Sequence, residues 1–239
     1  MRRRFFVGQF IDRTAVIDGD TAHHLGRVLR AQVGQLYELS DGIAVWLGRI
    51  ESVSRDRIQF ALLEEIPAHP PAVDIILLLS IVKFDAFEWA IEKATQLGVG
   101  MIVPVAASRS EKALLAASGK RLDRWEKLLV EASQQSRRVR VPAISSPLRL
   151  REALSEAYPL GAKVILSERS NAPALREVLS PVTVSQATLA IGPEGGWTDE
   201  ELTSAAAAGF REASLGKLIL RTETAVVAAL ASLTYALGT

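Results

Sequence analysis

Two stretches near the carboxyl end decide how this chain is read: Ile191-Gly192-Pro193-Glu194-Gly195-Gly196-Trp197, and Leu215-Gly216-Lys217-Leu218-Ile219-Leu220-Arg221-Thr222-Glu223-Thr224-Ala225. In the first, the apolar run Thr188-Leu189-Ala190-Ile191 stops at Gly192-Pro193, and Gly195-Gly196 opens backbone angles closed to residues with a Cβ. Thr198-Asp199-Glu200-Glu201 then has the form of a capping box and Gly209 that of a C-terminal stop, so a helix is predicted from about Asp199 to Ala208. In the second, Leu218-Ile219-Leu220 runs into Arg221, directly before the hydroxyl-rich helix start Thr222-Glu223-Thr224. A cation beside a helix N-terminus opposes the macrodipole, so Arg221 costs stability there unless an anionic partner engages it. Two such loops, each expected at the exit of an apolar strand, can surround one small ligand with backbone N–H groups. For the first loop alone, an ordinary strand-turn-helix unit with a glycine turn reads the same way.

Upstream of these loops, apolar strands alternate with helices. Val73 to Leu79 is a nearly continuous apolar run. A helix with Phe84, Phe87, Ile91, Ala94 and Leu97 inward and Gly98 as its stop follows, and then the strand Met101-Ile102-Val103. A helix carrying Leu122, Trp125, Leu128, Leu129 and Ala132 comes next, and strands recur at Lys163 to Leu166 and Thr188 to Ile191. This pattern predicts a parallel sheet with helices on both faces. Ile66-Pro67-Ala68-His69-Pro70-Pro71 is the clearest linker, which divides the chain into domains at 1–68 and 72–239. Before it, Tyr37 and Leu39, the turn Asp41-Gly42, Val45-Trp46-Leu47, and the alternation of Ile58, Phe60 and Leu62 predict short strands and a small β-barrel. One helix is expected there, starting near Asp20, with Ala22, Leu25, Val28 and Leu29 inward and His23, Arg27 and Arg30 outward.

The chain has 239 residues, 49% hydrophobic and 23% charged, a globular rather than a disordered balance. It has no cysteine, which excludes disulfides, a thiolate nucleophile and zinc-thiolate sites. Three histidines, at 23, 24 and 69, have no metal-ligand company, and no metal is expected. Met1-Arg2-Arg3-Arg4 is followed by too short an apolar run for a secretory signal. The apolar segment from Ala225 to Leu237 is shorter than the roughly 20 residues that span a bilayer, so no membrane insertion is expected. Net charge is +1, yet residues 108 to 140 hold 9 basic against 4 acidic side chains, an arrangement that suits either phosphates or a solvated helix face. No Gly-x-Gly-x-x-Gly follows the first strand of a βαβ unit and no Walker loop is present, which argues against a nicotinamide-dependent or nucleotide-hydrolysing enzyme.

Taken together, Gly192-Pro193-Glu194-Gly195-Gly196, Leu215-Gly216 and Leu220-Arg221-Thr222-Glu223-Thr224-Ala225 resemble the RsmE group of SPOUT-superfamily RNA methyltransferases, which methylate N3 of a uridine in small-subunit ribosomal RNA. The similarity continues in Glu88-Trp89, in Lys93 to Val99, in Arg109-Ser110, in Arg124-Trp125-Glu126-Lys127 with Glu131-Ala132, and in His24 with Arg27 to Arg30, and so covers almost the whole chain. It departs at Gln96 and Gln134, where the group usually has Glu, and at Arg137, where it has Gly.

The resemblance implies an α/β protein: a SPOUT-type parallel sheet with a C-terminal trefoil knot, which periodicity could not have suggested, plus an N-terminal PUA-like β-barrel that holds RNA. It also implies a homodimer, S-adenosylmethionine as cofactor and 16S ribosomal RNA, within the small subunit, as partner; a cytoplasmic location is expected, in keeping with the absence of cysteine. Leu166, Gly192, Pro193, Gly195, Gly196, Leu215, Gly216, Leu220, Thr222 and Thr224 are the expected cofactor contacts. Uridine N3 is nucleophilic only once its proton leaves, so Arg221 is expected as the cation that stabilises the anion, with Glu194 or Glu223 as base or orienter. His24, Arg27, Arg30, Arg109, Arg137 and Arg138 are the expected RNA contacts. A methyltransferase of the same superfamily acting on transfer RNA or 23S ribosomal RNA, and a non-catalytic RNA-binding ribosome assembly factor, stand as alternatives.

Overall fold

The computed structural model describes residues 3–69, 71, 73–156, 161–179 and 184–237. Met1-Arg2, Pro70 of the predicted linker and Ala72 at the predicted start of the second domain lie outside them. The chain divides into two compact units, Met1–Pro70 with Ser133–Val141, and Pro71–Ala132 with Pro142–Thr239.

In the first unit, β1 (Arg4–Phe6), β2 (Thr14–Asp18), β3 (Leu36–Ser40), β4 (Val45–Val53) and β5 (Arg57–Ile66) form one sheet in the order β1-β3-β4-β5-β2. The predicted turn joins β3 to β4: Gly42 has φ +91, and Asp41 Oδ1 accepts the N–H groups of Ile43 and Ala44. Ile58, Phe60 and Leu62 alternate inward as expected and pack with Phe5, Leu39 and Ile50. Register shifts between Leu47 and Gly48 and between Ile50 and Ser52 bend β4 and β5. β1 and β2 remain edges, so the expected barrel is a curled, open half-barrel.

The helix of this unit also differs from expectation. α1 (Gly19–His23) starts after Asp18 rather than at Asp20, and it continues into a π-helical turn over His24–Val28. That wider winding, with the Leu29 N–H reaching the His24 carbonyl at 3.2 Å, turns the following side chains away from their α-helical positions. Ala22 and Leu25 are buried, but Val28 is 64% exposed.

Residues 133–141 complete this unit. Buried Arg4 pairs with Glu38 at 2.9 Å and donates to the Arg137 carbonyl, and Ser40 Oγ donates to the Val139 carbonyl. Arg137 has φ +55, and the Arg138 N–H returns to the Ser133 carbonyl at 3.0 Å. This is a left-handed helix cap, where glycine is the unstrained residue.

The second unit is built on parallel strands: β6 (Asp74–Ser80), β7 (Met101–Ala106), β8 (Ala143–Ile144), β9 (Leu148–Arg149), β10 (Ala162–Leu166), β11 (Gln186–Ile191) and β12 (Arg211–Ala213). Their order is β12-β10-β11-β6-β7-β8, with β9 also on β7. The helices are α2 (Phe84–Gln96), α3 (Lys112–Ser118), α4 (Leu122–Gln135), α5 (Leu150–Ser155), α6 (Leu175–Leu179), α7 (Asp199–Ala207) and α8 (Thr222–Leu237). Leu150 and Leu154 of α5 and Leu202 and Ala205 of α7 pack with Leu78, Val103, Ile165 and Ala190 of the sheet. α8 lies on α2 and β11 and buries the stripe Val226, Ala229, Leu230, Leu233 and Leu237. The second glycine loop therefore leaves β12, a short strand with two charged residues, and not the apolar strand expected.

Candidate active site

β11, β10 and β12 bring their C-terminal ends side by side, and the segments that follow them wall a cleft of about 280 Å³. Ligands of open parallel sheets sit at that end because loop N–H groups and side chains converge there. The first loop follows β11. Its helix, α7, begins as the sequence predicts: Thr198 Oγ1 accepts the Glu201 N–H at 3.2 Å, and Glu201 Oε2 accepts the Thr198 N–H at 2.8 Å. The other oxygen of the buried Glu201 carboxylate accepts the Ser108 N–H at 2.8 Å, which ties the segment after β7 to the same helix start.

Three further hydrogen bonds fix the loop. Trp197 Nε1 donates to the Leu166 carbonyl at the exit of β10, at 2.9 Å. Thr222 Oγ1, at the start of α8, donates to the Gly192 carbonyl at 3.2 Å. Arg109 Nη1 donates to the carbonyls of Gly195 at 2.6 Å and Trp197 at 3.2 Å. The second loop has its own turn, in which Ser214 Oγ accepts the Gly216 N–H at 3.1 Å while Gly216 adopts φ +129.

The glycines keep the cleft open. A Cβ on Gly192 would lie 3.1 Å from the Trp197 indole, and one on Gly196, at φ +68, would lie 2.9 Å from Glu168 Oε1. Leu166, Ile191, Leu215 and Leu220 add apolar walls. Such a bare backbone cradle with aliphatic sides fits a nucleoside held by main-chain groups, and S-adenosylmethionine fits it on those terms.

Of the expected cofactor contacts, Leu166, Gly192, Pro193, Gly196, Leu215, Gly216, Leu220 and Thr222 line the cleft. Gly195 faces Arg109 instead, and Thr224 is exposed on α8. Arg221, Glu194 and Glu223 are not among the lining residues. Arg221 is exposed immediately before α8, where its carbonyl accepts the Ala225 N–H; Glu194 is exposed in the turn, and Glu223 is half-buried in the first turn of α8. Arg109, expected on RNA, lines the cleft and holds the loop. In the first unit, His24, Arg27, Arg30 and Arg137 are exposed, and Arg138 is half-buried with its Nε donating to the Arg140 carbonyl. Sequence reasoning did not include Ile191, Trp197, Glu168, Arg169 or Asp199, although Trp197 directly follows the glycine pair and Glu168-Arg169 directly follows the β10 exit.

Comparison with known proteins agrees with this geometry. Residues 69–234 match the model of the RNA methyltransferase domain, and residues 17–63 that of the RNA methyltransferase PUA domain. The chain is 34% identical to a Synechocystis protein named ribosomal RNA small subunit methyltransferase E, over 94% of this chain and 74% of the relative. It is 30% identical to the Bacillus subtilis protein of the same name, over 93% and 90%. Among solved structures, ribosomal RNA small subunit methyltransferase E from Neisseria gonorrhoeae, bound to S-adenosyl methionine, superposes with a TM-score of 0.89 at 31% identity, covering 99% of this chain and 98% of that one. A strand order that sets the two glycine loops at the ends of β11 and β12, on either side of β10, and a match across most of the sequence, place this chain in the RNA methyltransferase family, with its PUA domain at the amino end.

Proposed function

We propose that this protein transfers a methyl group from S-adenosylmethionine to N3 of a uridine in 16S ribosomal RNA of the small subunit. The observation that carries the reading is the cleft at the ends of β10, β11 and β12, walled by two glycine loops, in a chain whose relatives are named for that ribosomal subunit and include a structure with the cofactor bound. The cofactor, when bound, supplies an electrophilic methyl group without metal or covalent help.

The chain supplies position and proton management. Leu166, Leu215 and Leu220 take the apolar part of the ligand, the backbone at Gly192, Pro193, Gly196 and Gly216 meets its polar edges, and Gly195 and Thr222 hold the loop that does so. Arg221 makes no side-chain hydrogen bond or ion pair among the described residues and is therefore free to face the anion that forms over uracil O2 and O4. Glu194 or Glu223 accepts the N3 proton. In the first unit, exposed His24, Arg27 and Arg30 form an RNA-facing group around the π-helical turn, and Arg137 and Arg138 add cations for phosphate.

The same reading includes a homodimer, supported by the outward side of α8, where Tyr235 is 91% exposed. It includes the trefoil knot, supported by the crossing from β11 to β12 beyond β10 and the return of α8 onto α2. A cytoplasmic location follows from a ribosomal substrate; among the described residues, no helix is long and apolar enough to cross a membrane. The test is mass-spectrometric mapping of ribosomal RNA from cells with and without the gene. One 3-methyluridine in 16S RNA should vanish with the gene, and an unchanged 16S pattern refutes the assignment.

A further inference from the structure

We infer that Glu168 reads the charge of the ligand, favouring the sulfonium donor over the neutral thioether that remains after the methyl group has left. The inference rests on the cofactor reading of the cleft and adds to it a residue that separates substrate from product.

Five charged side chains line the cleft: Arg109, Glu168, Arg169, Asp199 and Lys217. Arg109 is committed to the carbonyls of Gly195 and Trp197. Arg169 and Asp199 face each other at 3.4 Å. Glu168 and Lys217 make no hydrogen bond or ion pair among the described residues, with each other or with anything else. Glu168 stands two residues beyond the end of β10, and its carboxylate lies across the bare backbone of the first loop, with Oε1 2.9 Å from the point a Gly196 Cβ would occupy. Gly196 thus leaves room for this oxygen. Glu168 is thus the lining carboxylate with no partner among the described residues, and although Arg109 Nη1 stands 3.9 Å from the same point, the charge of Glu168 makes the potential beside Gly196 more negative than an uncharged side chain would.

S-adenosylmethionine and S-adenosylhomocysteine share the adenosine, the ammonium and the carboxylate, and differ by one methyl group and one positive charge. Apolar walls and backbone hydrogen bonds hold both alike. A nearby carboxylate does not, because its attraction for the sulfonium disappears with the charge. In this arrangement Glu168 raises occupancy by the donor in competition with the spent cofactor.

The experiment is calorimetric titration of the full chain and of Glu168→Gln with each ligand. Glu168 is exposed, so the amide leaves the fold intact, which thermal melting verifies. Glu168→Gln should weaken S-adenosylmethionine by about fivefold to tenfold, and S-adenosylhomocysteine by about twofold at most, as expected for one unit charge at a partly solvated site. Equal weakening of both ligands, or of neither, overturns the inference. Gly196→Ala, which pushes a Cβ against Glu168 from a strained backbone, should weaken both ligands. If Gly196→Ala binds both as the unmodified chain does, the cofactor assignment of the cleft is what fails.

Discussion

Arg109 and Gly195 are 86 positions apart, and the Arg109 guanidinium donates to the Gly195 carbonyl at 2.6 Å. The same Nη1 reaches the Trp197 carbonyl, and the arginine methylenes approach the bare α-carbon side of Gly195. One side chain from the segment after β7 therefore braces the loop that closes the cleft. Arg109→Ala should remove about 1–2 kcal/mol of loop preorganisation, given the usual worth of charge-assisted hydrogen bonds at a partly exposed site. Calorimetry should show S-adenosylmethionine affinity falling roughly 5- to 30-fold, with RNA affinity changed little. A large loss of RNA affinity with cofactor affinity unchanged would restore the phosphate role.

Trp197 is the second brace. Its indole N–H is the donor to the Leu166 carbonyl, and the residue is buried. Trp197→Phe leaves that carbonyl unpaired at a cost of about 1–3 kcal/mol. At about 2–4 °C per kcal/mol for a chain of this size, thermal unfolding should move down by several degrees. Cofactor binding should weaken with it, because Leu166 is a wall of the cleft.

Arg221 carries the opposite signature. It is exposed, its side chain has no partner among the described residues, and its charge sits at the wrong end of α8 for the helix dipole. Arg221→Ala should leave Tm unchanged or slightly raised and cofactor affinity within about threefold, while single-turnover methylation slows by about 100-fold or more. Near-normal turnover would remove this residue from the chemistry.

Arg137 sets a local strain against a use. Its φ of +55 costs roughly 1 kcal/mol relative to glycine, and its 3.7 Å contact with Glu38 returns less than that because Arg4 already holds the carboxylate at 2.9 Å. Arg137→Gly should raise Tm by about 1–3 °C. If the side chain meets phosphate, the slope of log affinity against log salt should fall by about one. A more stable variant with an unaltered salt slope would show that the arginine does not touch RNA.

Much of the site was legible because its signals are local. The box of Thr198 and Glu201 and the positive-φ stops at Gly98 and Gly209 are each specified within a few residues, and the structure has all of them. The apolar runs of β6, β7, β10 and β11 were legible for the same reason. The order of those strands was not, since the pairing of β11 with β6 joins residues more than a hundred positions apart, as Gln186 with Asp74, and local pattern cannot choose that partner. β12 escaped notice because Arg211-Glu212-Ala213 has neither alternation nor an apolar run. Val28 was placed inward by a period of 3.6 that a π-helical turn breaks. Arg109 and Glu168 show the commonest limit: a charged residue in sequence has a sign, and only folding shows whether a carbonyl, a counter-ion or nothing stands opposite it.

The amino-terminal unit is interrupted in the sequence, for Ser133–Val141 belongs to it. During synthesis the curled sheet can assemble early, yet Arg4 and Ser40 lack their acceptors at Arg137 and Val139 until some seventy further residues have cleared the ribosomal tunnel. A gene fragment cut after the prolines would lack those two acceptors permanently, leaving Arg4 to Glu38 and Ser40 Oγ to the Ala44 carbonyl. Vectorial folding of this protein therefore cannot finish its first module before the chain is past its midpoint.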